Sequence, residues 1–450
     1  MNIIGLDLGT TTLSAAVLDG DTGAVLETLN IPNGSNLPPR QPFERIQDAD
    51  RIAERALGLV ASLKEKYDVS AIGIDGQMHG MVYVDAEGRA VSPLYNWQDQ
   101  RGMEPLNDTT YAGELSRRTG HHVPTGYGMA THFWNMLNDN VPKDAAKLCT
   151  VYDYVGMKLT GRKTPLLHIS TAASLGLADL EKNDWDMSAM AAADIDPAML
   201  PEVTGDCALL GRDLDGIPVA CGLGDNQASF IGAMREMAGG VLVNMGTGGQ
   251  VSMLTPARSA EGELEIRPLG GGQAIVVGSL LCGGRGYALL EKFLRSCAKL
   301  AGAGDAPLFE AMNRAALEFL EDDDLPVVDT RFNGTRAMPE LRGSISAIGT
   351  ENFDAGRLVA GTVTGMAREA RSLYDAMLDG GASPATHMVG SGNGIRKNPA
   401  LRRAFEKVFG MKMQIPAYGE EAACGAALFA MAAAGLKPSV EAAQELIRYE

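Results

Sequence analysis

The feature that most constrains this sequence is a turn that occurs twice. Residues 2–8 make a short apolar run that carries Asp7 near its end, followed by Gly9, Thr10, Thr11 and Thr12 and by a second apolar run through Leu18. Residues 240–254, GVLVNMGTGGQVSML, repeat the design around Gly246, Thr247, Gly248 and Gly249. Apolar runs of this length broken by Gly and Thr read as strand, tight turn, strand. The two turns lie 237 residues apart in a chain of 450. That is well beyond the period of about 20–50 residues expected of a solenoid, and it predicts a duplicated domain.

Between the two turns the hydrophobic period alternates. Asp48 is placed to cap a helix whose Ile52, Ala56, Leu59, Val60 and Leu63 share one face, and the helix leads into a strand over residues 69–75. The second half repeats this grammar. Leu358, Val363, Met366, Ala370, Leu373 and Met377 form a helical stripe, followed by the apolar residues 387–389, a Gly-rich turn at 390–394 and a helix over 399–409. Residues 30–42 and 301–307 read as loops, and the domain boundary is expected near residue 220. Hydrophobic residues make up 45% of the chain, enough for two substantial cores.

Charge and pattern exclude several classes. With 39 Lys and Arg against 56 Asp and Glu, the chain carries a formal net charge of −17 and has no basic run to displace phosphate counterions, so no nucleic-acid partner is expected. No window reaches the roughly 20 apolar residues of a membrane helix. The Ala-rich stretch at 422–435 reads instead as a closely packed buried helix, and no membrane association is expected. The N-terminus has no basic, apolar leader, and the six cysteines form no C-x-x-C pair. Buried thiols and a cytoplasmic location are the expectation.

The chemistry-bearing residues cluster at the turns. Neither a Walker G-x-x-x-x-G-K-[ST] motif nor a helix-opening G-x-G-x-x-G is present. Three Gly-rich turns after apolar strands nevertheless expose backbone N–H groups and small hydroxyls that can wrap phosphate oxygens. Asp7, at a strand end beside the first turn, suits a carboxylate that serves Mg²⁺. Asp225, in GLGDNQASFIG at 222–232, is placed either to accept a proton from a sugar hydroxyl or simply to cap a helix, with Asn226 and Gln227 beside it as polyol partners. GIDGQMHG at 73–80 presents Gln77 and His79 past a strand. NWQDQRG at 96–102 adds Trp97, Gln98, Asp99 and Arg101, an aromatic face beside polar groups as a sugar pocket requires. The other five histidines show no metal-ligand spacing.

Taken in order, these motifs resemble the FGGY carbohydrate kinases of the actin-like ATPase superfamily. The resemblance runs nearly end to end: DLGTTT at 7–12, IQD at 46–48, GQMHG at 76–80, NWQDQR at 96–101, GDN at 224–226, GTGG at 246–249, GSGNGIRKNP at 390–399 and EAACGAALFA at 421–430. It implies an α/β fold of two duplicated actin-like, ribonuclease H-like domains around a central cleft. The N-terminal domain, 1–220, would bind sugar, and the C-terminal domain, 221–450, would bind nucleotide. It also implies an ATP- and Mg²⁺-dependent kinase with Asp225 as base and Asp7 serving the metal. Gly9, Thr10, Thr11, Gly246 and Thr247 would contact phosphates, and Gly390, Gly392 and Asn393 adenosine. Gln77, Met78, His79, Trp97, Asp99 and Asn226 would border the sugar. The expected partners are a small-molecule sugar and a second copy of the chain as a homodimer. The segments TGYGMATHFW at 125–134, STAASLG at 170–176 and SLLCGGRGYALLEKF at 279–293 resemble sedoheptulokinases more than xylulokinases. Thr171 is expected to offer space and a neutral hydroxyl to a longer ketose, with a pentulose or polyol as the alternative substrate. A non-catalytic actin-fold sugar- or ATP-binding protein is the alternative of another class.

Overall fold

The apolar run at the N-terminus forms strand β1 (Asn2–Leu8), and Gly9 to Thr11 turn the chain into β2 (Thr12–Asp19), which pairs antiparallel with both β1 and β3 (Val25–Pro32). The computed structural model describes residues 1–336 and 338–450. Asp48 caps helix α1 (Ala49–Lys64) by accepting the Arg51 N–H at 3.0 Å, and the predicted apolar face of α1 is buried. Strand β4 (Val69–Gly76) then returns parallel to β1. After helices α2 (Val151–Thr160) and α3 (Ile169–Leu175), strands β5 (Leu209–Arg212) and β6 (Pro218–Ala220) complete a sheet of order β5-β6-β4-β1-β2-β3, with the short strand Leu223–Gly224 also pairing on β4. The loop expected at 30–42 starts three residues late, because β3 runs on to Pro32.

The second copy has the same plan. Strands β7 (Gly240–Met245) and β8 (Gly249–Thr255) form the hairpin, and β9 (Leu264–Gly270) and β10 (Gln273–Leu280) extend the sheet beyond β8. On the other side of β7, β11 (His387–Ser391) and β12 (Met413–Gln414) add in parallel, giving the order β9-β10-β8-β7-β11-β12. Each sheet is therefore an antiparallel meander continued by parallel strands on the far side of its first strand, with the antiparallel edge strand β5 added in unit 1. That shared order is the structural form of the repeated turn.

Contacts divide the chain into unit 1 (Met1–Arg235, Arg267–Gln273 and Glu420–Ile447) and unit 2 (Glu236–Ile266, Ala274–Gly419 and Arg448–Glu450). The contact boundary lies at 235 rather than the expected 220, and the segment Glu420–Ile447 belongs to unit 1 rather than to the C-terminal half. The cause is packing around helix α4 (Asp225–Ala233) and helix α9 (Glu421–Ala433). Between them in sequence, unit 2 holds α5 (Gly283–Leu300), α6 (Phe309–Phe319), α7 (Ala355–Asp379) and α8 (Pro399–Phe409). Helix α9 is the Ala-rich stretch read from the sequence, and it buries Leu428 and Phe429, each worth about 1.5–3 kcal/mol.

Its docking relies on missing side chains. A Cβ on Gly5 of β1 would lie 1.7 Å from the Ala423 carbonyl oxygen, and one on Gly73 of β4 would lie 1.9 Å from that of Ala426. A Cβ on Gly232 of α4 would lie 1.9 Å from the Glu421 carbonyl oxygen, and one on Gly425 of α9 would lie 1.8 Å from that of Ala228. Backbone meets backbone at all four places. Among the described residues no helix is long and apolar enough to cross a membrane, and all six cysteines are free, with Cys297 exposed rather than buried as expected.

Gly425→Ala is therefore expected to destabilise unit 1 by about 1–3 kcal/mol, the usual cost of overpacking a tight contact. The measurement is the urea unfolding midpoint, and a midpoint equal to that of the wild type would contradict this account of α9 docking.

Candidate active site

Three carboxylates gather where the parallel strands of unit 1 end. Asp7 and Asp75 are register partners on β1 and β4, and Leu223, two residues before Asp225, is the next partner across the sheet from Asp75. Asp225 is the first residue of α4, whose N-cap is Gly224 and makes no side-chain capping bond, so the capping alternative for Asp225 fails. Asp75 is wholly buried, and neither of its carboxylate oxygens has a hydrogen-bond partner. Asp7 and Asp225 are half-buried.

This arrangement is electrostatically costly. Burial, then the charges of Asp225 and Glu420, push the Asp7 carboxyl up to about 7. Burial and the charges of Asp7 and Asp225 hold Asp75 well above the usual carboxylate range. As two carboxylates neither can donate to the other, so the pair needs a proton or a cation from outside. Asp225 is pushed up to about 6 by burial, against the opposing pull of the Arg267 guanidinium and the Asn226 N–H.

Residues expected to border the sugar join a second, polar ring in the same unit. The half-exposed Trp97 donates its indole N–H to Thr10 Oγ1 at 2.9 Å, and Thr10 donates to Gln77 Oε1 at 3.1 Å. Gln77 Nε2 donates to Gln47 Oε1 at 2.9 Å, and Gln47 Nε2 closes the ring on the Thr10 carbonyl at 3.0 Å. Thr10 was expected at phosphate, yet its hydroxyl is part of this ring. Thr11 is exposed, and the Gly9 carbonyl is held by Asn33 Nδ2 at 2.8 Å. His79 sits at φ 73°, a left-handed conformation that is uncommon for a residue with a side chain. Its Nδ1 donates to the Ser174 carbonyl at 2.8 Å, and its ring stacks on Tyr127 with centroids 4.1 Å apart. Met78 fills the space beside Gly224, with its sulfur 4.0 Å from Arg267 Nη1.

Three expectations change. Asp99 is wholly buried and accepts from Arg101 Nε at 2.7 Å, Arg101 Nη2 at 3.2 Å and the Arg45 N–H at 3.0 Å. It braces the loop that carries Trp97, and its oxygens are taken up by protein donors rather than presented to a ligand. Gln227 is buried and donates to the Pro268 carbonyl at 3.4 Å, so it is turned away from any polyol, while Asn226 beside it is half-buried. Thr171 is buried with its hydroxyl directed at the Gly222 carbonyl at 3.4 Å, so it underlies the Asp225 loop instead of lining a pocket.

Unit 2 carries the other turns. Gly246 and Thr247 are exposed, their carbonyls accept the N–H groups of Gly284 and Arg285 at 3.0 Å each, and a Cβ on Gly246 would meet nothing within 4 Å. Gly392, at φ 81°, passes so close to β7 that a Cβ would lie 2.6 Å from the Met245 carbonyl oxygen, which places Gly392 and the exposed Asn393 beside the 246–249 turn. Gly390 faces inward onto Met413. An open turn of small residues next to a second Gly turn fits a phosphate-bearing ligand. In unit 1, among the described residues, no three His, Cys, Asp or Glu side chains form a ready-made metal cage. The unpartnered Asp75 beside Asp7 fits Mg²⁺, which is commonly held by one or two carboxylates plus substrate phosphates.

Asp75, Gln47 and Arg267 were not singled out from the sequence. Asp75 had a signal, as the one charge in the otherwise apolar strand 69–76. Arg267 had none, because it lies in a hairpin far from every motif.

The sequence matches the FGGY family of carbohydrate kinases, N-terminal domain, over residues 2–232 and the C-terminal domain over residues 241–434. It is 26% identical to sedoheptulokinase of Homo sapiens, covering 94% of this chain and 96% of that one. It is 28% identical to xylulose kinase of Streptomyces coelicolor, covering 98% and 89%. The fold is similar to the crystal structure of xylulose kinase from Rhodospirillum rubrum, with a TM-score of 0.85, 22% identity and coverage of 100% and 93%. The expected two-domain actin-like fold is thereby met.

The raised carboxyls give a signed prediction. They bind protons more tightly folded than unfolded, where Asp titrates near about 3.9, so their contribution favours the folded state at low pH and is lost as pH rises through about 6 and about 7. Thermal unfolding of metal-free protein should show a midpoint that falls between about pH 5 and about pH 8, with a smaller fall in Asp75→Asn. A midpoint that rises over that window would contradict the burial argument.

Proposed function

We propose that this chain, which belongs to the FGGY family of carbohydrate kinases and is an ATP-dependent sugar kinase, acts on the seven-carbon ketose D-sedoheptulose and phosphorylates its terminal primary hydroxyl. The observation that carries the substrate reading is the surround of His79. Tyr127 stacks on its ring and the Ser174 carbonyl takes its Nδ1 proton, so the two segments that resemble sedoheptulokinases, 125–134 and 170–176, both converge on one sugar-side histidine. The full-length similarity to human sedoheptulokinase supports the same reading.

In this reading Asp225 accepts the proton of the attacking hydroxyl as its oxygen bonds to the γ-phosphorus and the bond to ADP breaks. A carboxyl raised to about 6 is still mostly ionised at neutral pH and is a stronger base than an exposed Asp. Gln77, His79, Trp97 and Asn226 orient the ketose, Met78 forms the wall beside Asp225, and Asp99 holds the Trp97 loop through Arg101. Gly9 and Thr10 offer N–H groups and the exposed Thr11 and Thr247 offer hydroxyls to the phosphates, with Gly246 keeping the second turn open, and Gly390, Gly392 and Asn393 shape the adenosine end. Mg²⁺, served by Asp7, would neutralise charge on the transferring phosphoryl group.

Two outcomes are expected. Asp225→Asn should lower kcat by about 10²–10⁴ in a coupled assay of ADP release while the variant keeps its fold, and turnover within a few-fold of wild type would remove Asp225 from this role. In parallel kinetics kcat/KM should be higher for D-sedoheptulose than for D-xylulose, since a site that pairs the additional hydroxyls leaves polar groups unsatisfied around a shorter sugar. A preference for D-xylulose would overturn the choice of sugar and leave the kinase assignment in place.

A further inference from the structure

We propose that Asp75 joins Asp7 in a two-carboxylate site that takes up a divalent cation before any nucleotide binds. The inference rests on the proposed service of Asp7 to the metal and adds to it a ligand from a different strand.

Geometry supplies the first argument. Asp7 and Asp75 are direct partners in the parallel pairing of β1 and β4, so their side chains leave the same face of the sheet on strands about 4.8 Å apart. Carboxyl groups on such neighbours can both reach one ion. Asp75 is wholly buried, and both of its oxygens lack a hydrogen-bond partner. A buried carboxylate in that condition needs a proton or a cation, because an uncompensated buried charge is among the most destabilising features a fold can hold.

The second argument is the charge around the pair. The charges that act on Asp7 are those of Asp225 and Glu420, and those that act on Asp75 are Asp7 and Asp225. All are negative. Arg267, the cation nearby, acts on Asp225 instead. The charges that act on Asp7 and Asp75 among the described residues are thus all acidic, in a chain that already carries a net charge of −17.

The duplicated half provides an internal comparison. The positions of unit 2 that correspond to Asp7 and Asp75 are Asn244 and Ser391, which are likewise direct partners, on the parallel strands β7 and β11. The same strand pair thus folds with two neutral side chains. The carboxylates of unit 1 are not demanded by the fold, and their presence at one copy alone points to a ligand. A small divalent ion suits two carboxylates with open coordination positions, which water fills first and phosphate oxygens later.

The test uses the full-length protein without nucleotide and Mn²⁺ as the probe, with free Mn²⁺ followed by electron paramagnetic resonance. Wild-type protein should take up one Mn²⁺ per chain, displaceable by Mg²⁺. Asp75→Asn and Asp75→Ser should each weaken that uptake by at least about tenfold. Asp75→Ser copies the residue already accommodated at the equivalent strand of unit 2, so it keeps the test usable if the Asn variant folds poorly. Absence of Mn²⁺ uptake by the wild type, which would leave the pair sharing only a proton, would overturn the proposal. So would variants that bind within twofold of the wild type. Ketose-dependent ADP release by the wild type, measured alongside, separates this result from the functional reading: uptake without turnover on any ketose would sink the substrate reading and leave the metal site standing.

Discussion

The architecture of unit 1 depends on one close contact, the docking of helix α9 on backbone rather than on side chains. Gly5, Gly73 and Gly232 each present bare backbone to a carbonyl of α9. Those glycines lie on the three elements whose ends carry the carboxylates. Gly5 is two residues from Asp7 on β1, Gly73 is two residues from Asp75 on β4, and Gly232 is on the helix that begins with Asp225. A helix drawn from the far end of the chain thereby fixes three acids that come from three distant stretches of sequence. A single added methyl group at this contact would shift the elements on which the chemistry is mounted.

What that scaffold holds is a set of charges that would not assemble unaided. Burial raises Asp7, Asp75 and Asp225 together, and repulsion between acids adds to it at Asp7 and Asp75, so the site has a raised affinity for protons. Arg267 moderates the rise at Asp225, which remains ionisable in the neutral range. Unit 2 shows the same strand pair without charge, at Asn244 and Ser391. The two copies thus differ in charge at equivalent positions, and unit 2 keeps an open turn of small residues at Gly246 and Thr247.

Local signals in the sequence carried much of this. The repeated turn gave the duplication, Asp48 marked its helix, and the limits 399–409 read from residues alone are those of α8. Asp7, Gln77 and Asp225 were legible because each adjoins Gly-rich segments that announce a strand end. Asp75 was harder to see, since its meaning comes from register with Asp7 across 68 residues, and register between parallel strands has no local signature. Asp99 misled for a related reason: its position beside Trp97 suggested a ligand, but Arg101, two residues on, folds back and claims its oxygens. The boundary at 220 failed because no composition change marks the place where α4 packs on α9.

Whether the half-buried, partly compensated Asp225 is the proposed base of the phosphoryl transfer is tested most directly by the pH dependence of kcat/KM for the sugar. An acid limb of one-proton slope is expected, with a midpoint near about 6, and it should disappear in Asp225→Asn. A rate independent of pH from about 8 to about 5, or the same acid limb in the variant, would contradict it.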